Sequence, residues 1–360
     1  MEALAELKSA LQEEMRVCIL PFWMYKASDQ QTGGYWGSVK ANGYIDKQAD
    51  KGGILHARLL WAFSRAHLTF GDQSYADHAS RTHWFMQQQL TSADGLSLHW
   101  SAQQQAHFAS QEDWVVTQAY YLYALSTYAL IDDSVLAQSH QVFAHLQPEL
   151  HTLLQRQGKA GDVWRAFLHV TEALDAYGSL PQADSRAQPL LMQALARAVE
   201  LLECADVADY EQLNWGRIAA TSWLLPQVAQ RHGHDEIVAA INKLGIKLQH
   251  SVAELAANCS GEGVPLNQQD PTRYGWVQAE VLVSLWQSWR QAPSPDALKT
   301  LIAHWQFIYQ FISDRQFGEW KLQATGEATP EMEKAGFWKC PYHNFRACLT
   351  VYNEISKLIS

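Results

Sequence analysis

The sequence predicts an all-α protein, built as an (α/α)6 barrel of about twelve helices with a short β-hairpin near the N-terminus. Helical spacing of apolar residues dominates from residue 50 onward, and only one earlier segment has the alternation of a strand. Apolar helices with a conspicuous polar or aromatic residue recur at intervals of 51 to 63 residues, the length of one helix hairpin with its loops. The recurring residues are Arg58, Gln118, His169, Trp223, Glu280 and His343. If the first helix of each hairpin packs inward, these side chains converge on one central cleft.

The same period has a second structural interpretation, an open α-solenoid of stacked hairpins. Six units without a polar capping repeat favour closure into a barrel. Connections between the predicted helices are short and contain Gly, Pro and Asp, so they indicate loops and not domain boundaries. We therefore expect residues 1–360 to form a single domain.

Individual elements follow from local patterns. Residues 2–15 predict an amphipathic helix with its apolar side chains on one face. The glycines and alternating aromatic residues of segment 33–45 predict a short strand or hairpin. Helical periodicity then predicts an apolar helix that includes residues 54–63. Close to the C-terminus, a proline that suits a first helical turn and the apolar spacing after it predict a helix over about residues 341–358.

Charge and composition exclude several classes of partner. The net charge is −10 and no run of Lys or Arg occurs, which argues against nucleic acid or an anionic membrane surface as the main partner. No stretch approaches about 18 consecutive apolar residues, and the acidic N-terminal segment lacks the apolar core of a signal peptide. Five scattered cysteines without a Cys-x-x-Cys pair indicate reduced thiols. We expect a cytoplasmic protein, monomeric or homodimeric, with no membrane partner.

Motifs for cofactors do not occur in the sequence. It contains no glycine-rich nucleotide loop, no His-Glu-x-x-His and no Gly-x-Ser-x-Gly. Cys340 and His343 are three residues apart but have no second pair of ligands nearby, so a zinc site is not indicated. We therefore expect neither a metal nor a nucleotide cofactor.

Tryptophan is unusually frequent, with 15 residues. Aromatic residues mostly fill cores, but the indole N–H needs a partner when it is buried. A surplus of Trp in an acidic chain also fits a cleft that stacks on the faces of sugars. Composition alone leaves both interpretations open.

Segment 338–346 combines several aromatic residues, two cations and an imidazole. The helix predicted from Pro341 places His343 in its first turn, where the positive end of the helix dipole opposes a protonated imidazole. A neutral imidazole near pH 7 can accept a proton, as a general base must. A capping histidine on a surface helix is the alternative.

Three other polar groups interrupt apolar helical segments. Arg58, if buried, needs an anionic or multi-acceptor partner, which is either a structural ion pair or a ligand. His169 and Glu172 share one helix face, so they form either an acid/base unit or a satisfied core pair. Trp276 lies one turn before Glu280, which suits a sugar whose C–H faces pack on the ring and whose hydroxyls donate to the acid. A core Trp beside a structural ion pair is the alternative for this second pair.

Two further features lie near the predicted cleft. Glu112 and Asp113 precede Trp114 at another predicted helix start, where N-terminal capping is a sufficient explanation for both carboxylates. Residues 258–271 form the longest polar, glycine-containing stretch. This stretch is either a loop at the edge of the cleft or a plain connection.

Five segments carry a family resemblance over nearly the whole chain. They are residues 33–37, 50–61, 168–173, 276–280 and 338–344. In these segments the chain resembles the N-acylglucosamine 2-epimerase superfamily, and within it the cellobiose 2-epimerase branch. The resemblance implies an (α/α)6 barrel without an obligate metal. It also implies interconversion of mono- or disaccharides at C2 through a cis-enediol intermediate.

The resemblance implies roles for individual side chains. His343 would be one acid/base, and His169, beside Glu172, would assist ring opening or hydroxyl proton transfer. Arg58 would hold sugar oxygens near the reacting end. The sugar site would also be lined by Tyr35, Trp276, Glu280 and Trp338.

The chain departs from the family pattern on the fourth inner helix. A Gly-His-x-x-Glu signature is replaced by residues 216–220, where Arg217 stands for the His and Ala220 for the Glu. Arg165 and Gly275 likewise replace an Asn and a Trp. One of two imidazoles and its carboxylate partner are therefore missing. Epimerisation needs proton removal from one face of C2 and return to the other, whereas aldose–ketose isomerisation moves a proton on one face and needs a single base.

Three functions remain open from the sequence. The first is a sugar 2-epimerase or aldose–ketose isomerase with His343 as the principal acid/base. The second is a catalytically impaired relative that binds a sugar through residues such as Arg217. The third is an (α/α)6 glycoside hydrolase or lyase-like enzyme that uses carboxylates such as Glu172 and Glu280.

The additional cations suggest a class of substrate. Arg165 and Arg217, with Arg58, favour an acidic sugar, because Arg binds planar anions through two hydrogen bonds. The alternative is that these cations pair with Glu172 or with another acid that has lost its family partner.

Overall fold

The computed structural model describes residues 1–155, 160–203, 207–324, 329 and 332–359. Twelve α-helices in these ranges form two concentric layers. The outer layer contains α1 (Glu2–Glu13), α3 (Gln73–Gln89), α5 (Leu136–Gln155), α7 (Ala187–Glu203), α9 (Asp235–Asn258) and α11 (Pro295–Phe307). The inner layer contains α2 (Gly53–Phe70), α4 (Gln111–Tyr128), α6 (Ala160–Gly178), α8 (Val207–His232), α10 (Gly275–Gln291) and α12 (Tyr342–Ile359).

The inner helices form a closed ring. Each inner helix packs against the next one along the chain, and α12 returns to contact α2. Each inner helix from α2 to α10 is covered by the outer helix that follows it, whereas α12 is covered by α1. The sixth helix pair therefore joins the two ends of the described chain. This closure confirms the predicted (α/α)6 barrel and excludes the open solenoid.

The inner helices are buried on nearly all sides, because they contact two inner neighbours and the outer layer. In α4, every residue from Val115 to Leu122 is buried. All six residues that recur in the sequence lie on inner helices, as predicted. A polar side chain on such a helix must find a partner inside the barrel or in its central cavity.

Two short antiparallel sheets complete the described fold. The pairs are β1 (Val39–Lys40) with β4 (Glu333–Ala335), and β2 (Arg273–Tyr274) with β3 (Gln323–Ala324). The predicted strand before residue 45 is confirmed, and a bridge between Val39 and Ile45 closes a hairpin-like turn. The longer pairing of β1 is with β4, which lies far away in the sequence. The sheet formed by β2 and β3 was not predicted. Strands of two residues are too short to show a recognisable alternation in the sequence.

The predicted terminal helices are present. The predicted apolar face of α1 is buried, and a π-helical segment, Glu14–Ile19, continues this helix. Helix α12 begins directly after Pro341 and ends at Ile359. His343 therefore lies in the first turn of α12, as the sequence predicted.

The cysteines are unpaired in the described part of the chain. Cys18, Cys259, Cys340 and Cys348 are free thiols, and Cys204 lies outside the described residues. Within the described ranges, no group of three or more His, Cys, Asp or Glu side chains is arranged to hold a metal ion. None of the helices described here is long and apolar enough to cross a membrane.

Candidate active site

A cavity of about 380 Å³ opens at the end of the barrel where the inner helices begin. This volume falls within the range of small-molecule sites. Eight of the nine predicted site residues line it: Arg58, His169, Glu172, Arg217, Trp276, Glu280, Trp338 and His343. The lining residues of α2, α10 and α12 lie in the first halves of those helices. The inner ring thus brings together positions that are far apart in the sequence.

His343 is held at the cavity by Glu280. Nδ1 of His343 lies 2.6 Å from Oε1 of Glu280. The imidazole donates this bond, because the nearby Arg346 holds the pKa of the Glu280 carboxyl below its usual range despite burial. Burial in turn lowers the pKa of His343, only partly opposed by Glu280, so the ring is neutral near pH 7. The fixed tautomer leaves Nε2 of His343 without a proton and able to accept one.

His169 has a carboxylate partner of its own but no free ring nitrogen. Nδ1 of His169 lies 3.2 Å from Oε2 of Glu172. The hydroxyl of Tyr120 lies 3.0 Å from both ring nitrogens of His169, and it also accepts a hydrogen bond from Arg58. Because Nδ1 of His169 is bonded to Glu172, the Tyr120 hydroxyl bonds the other ring nitrogen, Nε2 of His169. Burial lowers the pKa of His169 to about 4, so this ring is also neutral.

Arg346 connects the two imidazole–carboxylate pairs. Its Nη2 donates to Oε1 of Glu280 at 2.6 Å, and its Nη1 donates to Oε1 of Glu172. Nη1 also lies 2.5 Å from the hydroxyl of Tyr342, which itself donates to Glu172. The guanidinium therefore balances two buried carboxylates at the floor of the cavity. Sequence reasoning missed this residue, although it shows the same signal as Arg58, a charge inside an apolar helical segment.

The two buried carboxylates, Glu280 and Glu172, are engaged by neighbouring side chains. Both oxygens of Glu280 accept hydrogen bonds, and Oε2 accepts from the Trp223 indole at 3.0 Å. Glu280 therefore orients His343, and its Oε2 atom, with one bond already made, has one lone pair left for a sugar hydroxyl. Burial raises the pKa of Glu172, but Arg346 and His169 outweigh it and lower that pKa to about 2. A glycoside hydrolase needs one protonated carboxyl group as its general acid. Neither carboxyl group fits that role, which argues against the hydrolase alternative.

Arg58 is buried without an acidic partner. Nη1 lies 3.3 Å from the carbonyl oxygen of Trp338 and 3.5 Å from the sulfur of Cys340. The guanidinium stacks over the rings of Tyr120 at 4.2 Å and Tyr342 at 4.6 Å. No carboxylate of the described residues lies within ion-pair distance of Arg58, and its Nε has no hydrogen-bond partner there. The structure therefore does not support the ion-pair alternative, and the charge stays available to a ligand.

Two tryptophans flank the cavity. The Trp276 ring lies 5.6 Å from the His343 ring, between centroids, and packs directly on Gly216. A Cβ atom at Gly216 would lie 2.2 Å from Cζ3 of Trp276, so this close approach requires glycine. Trp338 is 43% exposed. Both rings offer the apolar faces on which a sugar can stack.

Tyr35 does not reach the cavity, which corrects its prediction as a substrate-binding residue. It is buried, its ring stacks on Phe63 at 6.1 Å, and its hydroxyl lies 3.2 Å from Nδ1 of His78. These contacts place it between α2 and α3, outside the inner ring. The glycine-rich segment around Tyr35 therefore has a structural role. Gly34 has a φ of +69°, and an added Cβ would lie 2.7 Å from Nε2 of His56.

The two additional arginines differ in their partners. Arg165 donates to Glu112 at 2.9 Å and to Asp113 at 2.7 Å. The N-cap of α4 is Ser110, whose hydroxyl donates to the Asp113 carboxylate at 2.9 Å, so Asp113 takes part in the helix start as well as binding Arg165. Arg217 lines the cavity without an ion pair among the described residues. Only Arg165 therefore follows the predicted alternative of pairing with an acid.

The fold and the cavity together define an (α/α)6-barrel protein with a carboxylate-supported imidazole at its centre. No protein-family model matches the chain. The chain is 25% identical to the cellobiose 2-epimerase of Bacteroides fragilis over 391 residues, which cover 97% of this chain and 99% of that protein. This similarity confirms the resemblance to the cellobiose 2-epimerase branch of the N-acylglucosamine 2-epimerase superfamily.

Solved structures share the fold. The cellobiose 2-epimerase of Spirochaeta thermophila superposes with a TM-score of 0.82 at 22% identity, covering 99% of this chain and 98% of that chain. A D-mannose isomerase superposes with a TM-score of 0.73 at 17% identity, covering 97% of both chains. At these identities the superpositions establish the (α/α)6 architecture alone.

Proposed function

We propose that the protein is a sugar isomerase or 2-epimerase that acts at C2 through a cis-enediol, with His343 as its principal acid/base. The observation that carries the proposal is the His343–Glu280 pair, which holds a neutral imidazole with one free nitrogen in a sugar-sized cavity. The similarity to a cellobiose 2-epimerase over nearly the whole chain supports a mono- or disaccharide substrate.

The proposed reaction starts from the open-chain aldose. Nε2 of His343 takes the proton from C2, and the electron pair moves to form the C1–C2 double bond of the enediol, leaving charge on the C1 oxygen. The unpaired guanidinium of Arg58 stabilises that oxygen. Return of the proton from His343 to C1, together with transfer of the C2 hydroxyl proton to the C1 oxygen, gives a ketose, whereas delivery of a proton to the opposite face of C2 gives the epimer.

The surroundings of His169 favour isomerisation over epimerisation. Its two nitrogens are engaged by Glu172 and Tyr120, so it offers no free base. Arg217 and Ala220 of α8 supply no base either. A single imidazole returns the proton to the face from which it came, which leads to the ketose.

Hydrogen exchange in D₂O tests the proposal. Proton NMR of mannose, glucose, cellobiose and glucuronate incubated with the protein should show loss of the C2 proton and formation of a ketose from at least one of them. His343→Gln should abolish exchange and keep a thermal shift with the same sugar. Binding by the unaltered protein without exchange of any sugar would indicate the catalytically impaired relative instead.

We further propose that residues 1–360 form one catalytic domain, monomeric or homodimeric, in the cytoplasm. The free thiols of the described cysteines, among them the buried Cys18 and Cys348, fit a reducing compartment. Light scattering of the purified protein measures its oligomeric state directly.

A further inference from the structure

A second cavity, of about 650 Å³, lies at the opposite end of the barrel from the active-site cavity. Every inner helix contributes lining residues near its C-terminal end. Glu172, Leu224 and Arg346 line both cavities, so one layer of side chains separates them. We call this second cavity the lower cavity. No step of the proposed reaction takes place in it.

Three buried polar atoms at the lower cavity have no hydrogen-bond partner among the described residues. They are Oγ of Ser126, Oε1 of Gln249 and Nε of Arg346. These residues are 1%, 2% and 6% exposed, respectively. An unpaired buried polar atom is costly, and most such atoms in folded proteins have a partner. Three of them at one cavity indicate that a molecule bound there completes their hydrogen bonds.

Two of these side chains are held in place by their other polar atoms. Nε2 of Gln249 donates to the carbonyl oxygen of Ser222 at 2.7 Å. The two Nη atoms of Arg346 are bonded to Glu172 and Glu280. Rotation of either side chain toward another protein group would break these bonds. The unpaired atoms are therefore fixed at the wall of the lower cavity.

The unpaired atoms define the chemistry of a suitable ligand. Nε of Arg346 only donates hydrogen bonds, Oε1 of Gln249 only accepts them, and the Ser126 hydroxyl can do either. Two aromatic rings of the lining, Trp61 and Tyr123, stack with 5.7 Å between their centroids. A molecule with several hydroxyl groups on a C–H framework both donates and accepts hydrogen bonds and packs on aromatic rings.

The charges around the lower cavity favour a neutral ligand. Arg231 is paired with Asp175, and Arg290 is paired with Glu354. Arg65 lines the cavity without an ion pair among the described residues. The C-terminal ends of the inner helices surround the same space, and their partial negative charges oppose an anion there.

We propose that the lower cavity binds a neutral monosaccharide or linear polyol as a second ligand, separate from the substrate of the active site. Ser126, Gln249 and Arg346 bind its hydroxyl groups. Its C–H groups pack against the pair formed by Trp61 and Tyr123. The proposal does not depend on the proposed reaction, because the three unpaired atoms are present whatever chemistry His343 performs.

Calorimetric titration of the full-length protein with glucose, mannose and sorbitol tests the proposal. We expect two binding sites per chain for at least one of these compounds. Ser126→Ala should weaken one site about five- to tenfold, as expected for the loss of one hydrogen bond to a buried group. Trp338, which lines the active-site cavity and is 43% exposed, provides the complementary variant. Trp338→Ala should weaken the other site and keep the one that Ser126→Ala affects.

Ser64→Ala is the matched control. The Ser64 hydroxyl is buried and donates to the carbonyl oxygen of Leu60 at 2.7 Å, and Ser64 lines neither cavity. This variant should keep both sites. Without a ligand, Ser126→Ala should not lower the Tm, because it removes an unpaired hydroxyl and not a hydrogen bond.

Two results would overturn the proposal. A single site in the unaltered protein, or two sites that Ser126→Ala leaves at their original affinities, would show that the lower cavity holds only water. Binding of inorganic phosphate in preference to all three neutral compounds would show that the ligand class is wrong. Hydrogen exchange at C2 is measured separately, so its absence would overturn only the proposed function.

Discussion

Oε1 of Glu280 accepts hydrogen bonds from both His343 and Arg346, each at 2.6 Å, so one carboxylate oxygen orients the base and anchors the central cation. Glu280→Gln removes the negative charge but keeps the size of the side chain. We expect kcat to fall by about 10²-fold or more, because the imidazole loses its fixed tautomer. In the unaltered protein, Glu280 raises the pKa of His343 against the lowering effect of burial. The acid limb of the pH–rate profile of Glu280→Gln should therefore lie at lower pH than that of the unaltered protein.

Glu112→Gln is the control for this substitution, because Glu112 is bonded to Arg165 and not to an imidazole. The acid limb of the pH–rate profile of Glu112→Gln should coincide with that of the unaltered protein. An unchanged acid limb in Glu280→Gln would contradict the assigned pairing.

Arg346 is predicted to be the most important ion-pairing residue for stability. Arg346→Met keeps the length of the side chain but leaves Glu172 and Glu280 buried without a counterion. We expect a loss of about 3–5 kcal/mol in the free energy of unfolding, measured by urea denaturation. Arg165→Met, which breaks a partly exposed pair, should cost about 1 kcal/mol or less. Equal losses in the two variants would show that Arg346 does not carry the buried charge balance.

Buried histidines should make the protein sensitive to mild acid. Burial lowers the pKa values of His56, His169 and His304 to about 4. In the unfolded chain these groups titrate near 6.5, so between about pH 6.5 and 4 the unfolded state binds more protons. Stability should therefore fall as the pH drops through this window. The urea midpoint at pH 5 should be clearly below that at pH 7.5, whereas equal midpoints would exclude buried neutral histidines.

Tyr120 is predicted to influence the choice between products. Tyr120→Phe removes the hydroxyl that caps Nε2 of His169, which frees a second base. We expect the epimer to make up a larger share of the product, with a smaller loss of rate than in His343→Gln. NMR of the product mixture measures the ratio, and a ratio equal to that of the unaltered protein would show that the hydroxyl does not restrain His169.

The fold and much of the cavity were predictable from the sequence. Apolar helices with one polar residue every 51 to 63 residues indicated the inner ring, because a buried helix tolerates a polar side chain only where it finds a partner or a cavity. His343, His169 and Arg58 were identified in this way. The hydrogen-bond partners of these residues could not be predicted from the sequence. Arg346 joins Glu172 to Glu280 across three helices, and no local spacing encodes a contact of that kind.

Tyr35 and Arg165 illustrate two other limits. Tyr35 belongs to a segment that resembles the family, but a motif of this kind also marks tight packing, here around Gly34 and His56. Arg165 was grouped with Arg217 because both replace family residues. Only the structure distinguishes them, since Glu112 and Asp113 belong to a neighbouring helix and lie 53 and 52 residues before Arg165, respectively.

The central claim is that His343 alone moves the proton at C2. The most direct test uses the aldose that exchanges, labelled with deuterium at C2 and converted in H₂O, with the label traced by NMR. A single base should carry part of the deuterium to C1 of the ketose, and His343→Gln should show no transfer. An epimer as the main product with complete loss of the label to solvent, or transfer that persists in His343→Gln, would contradict the claim.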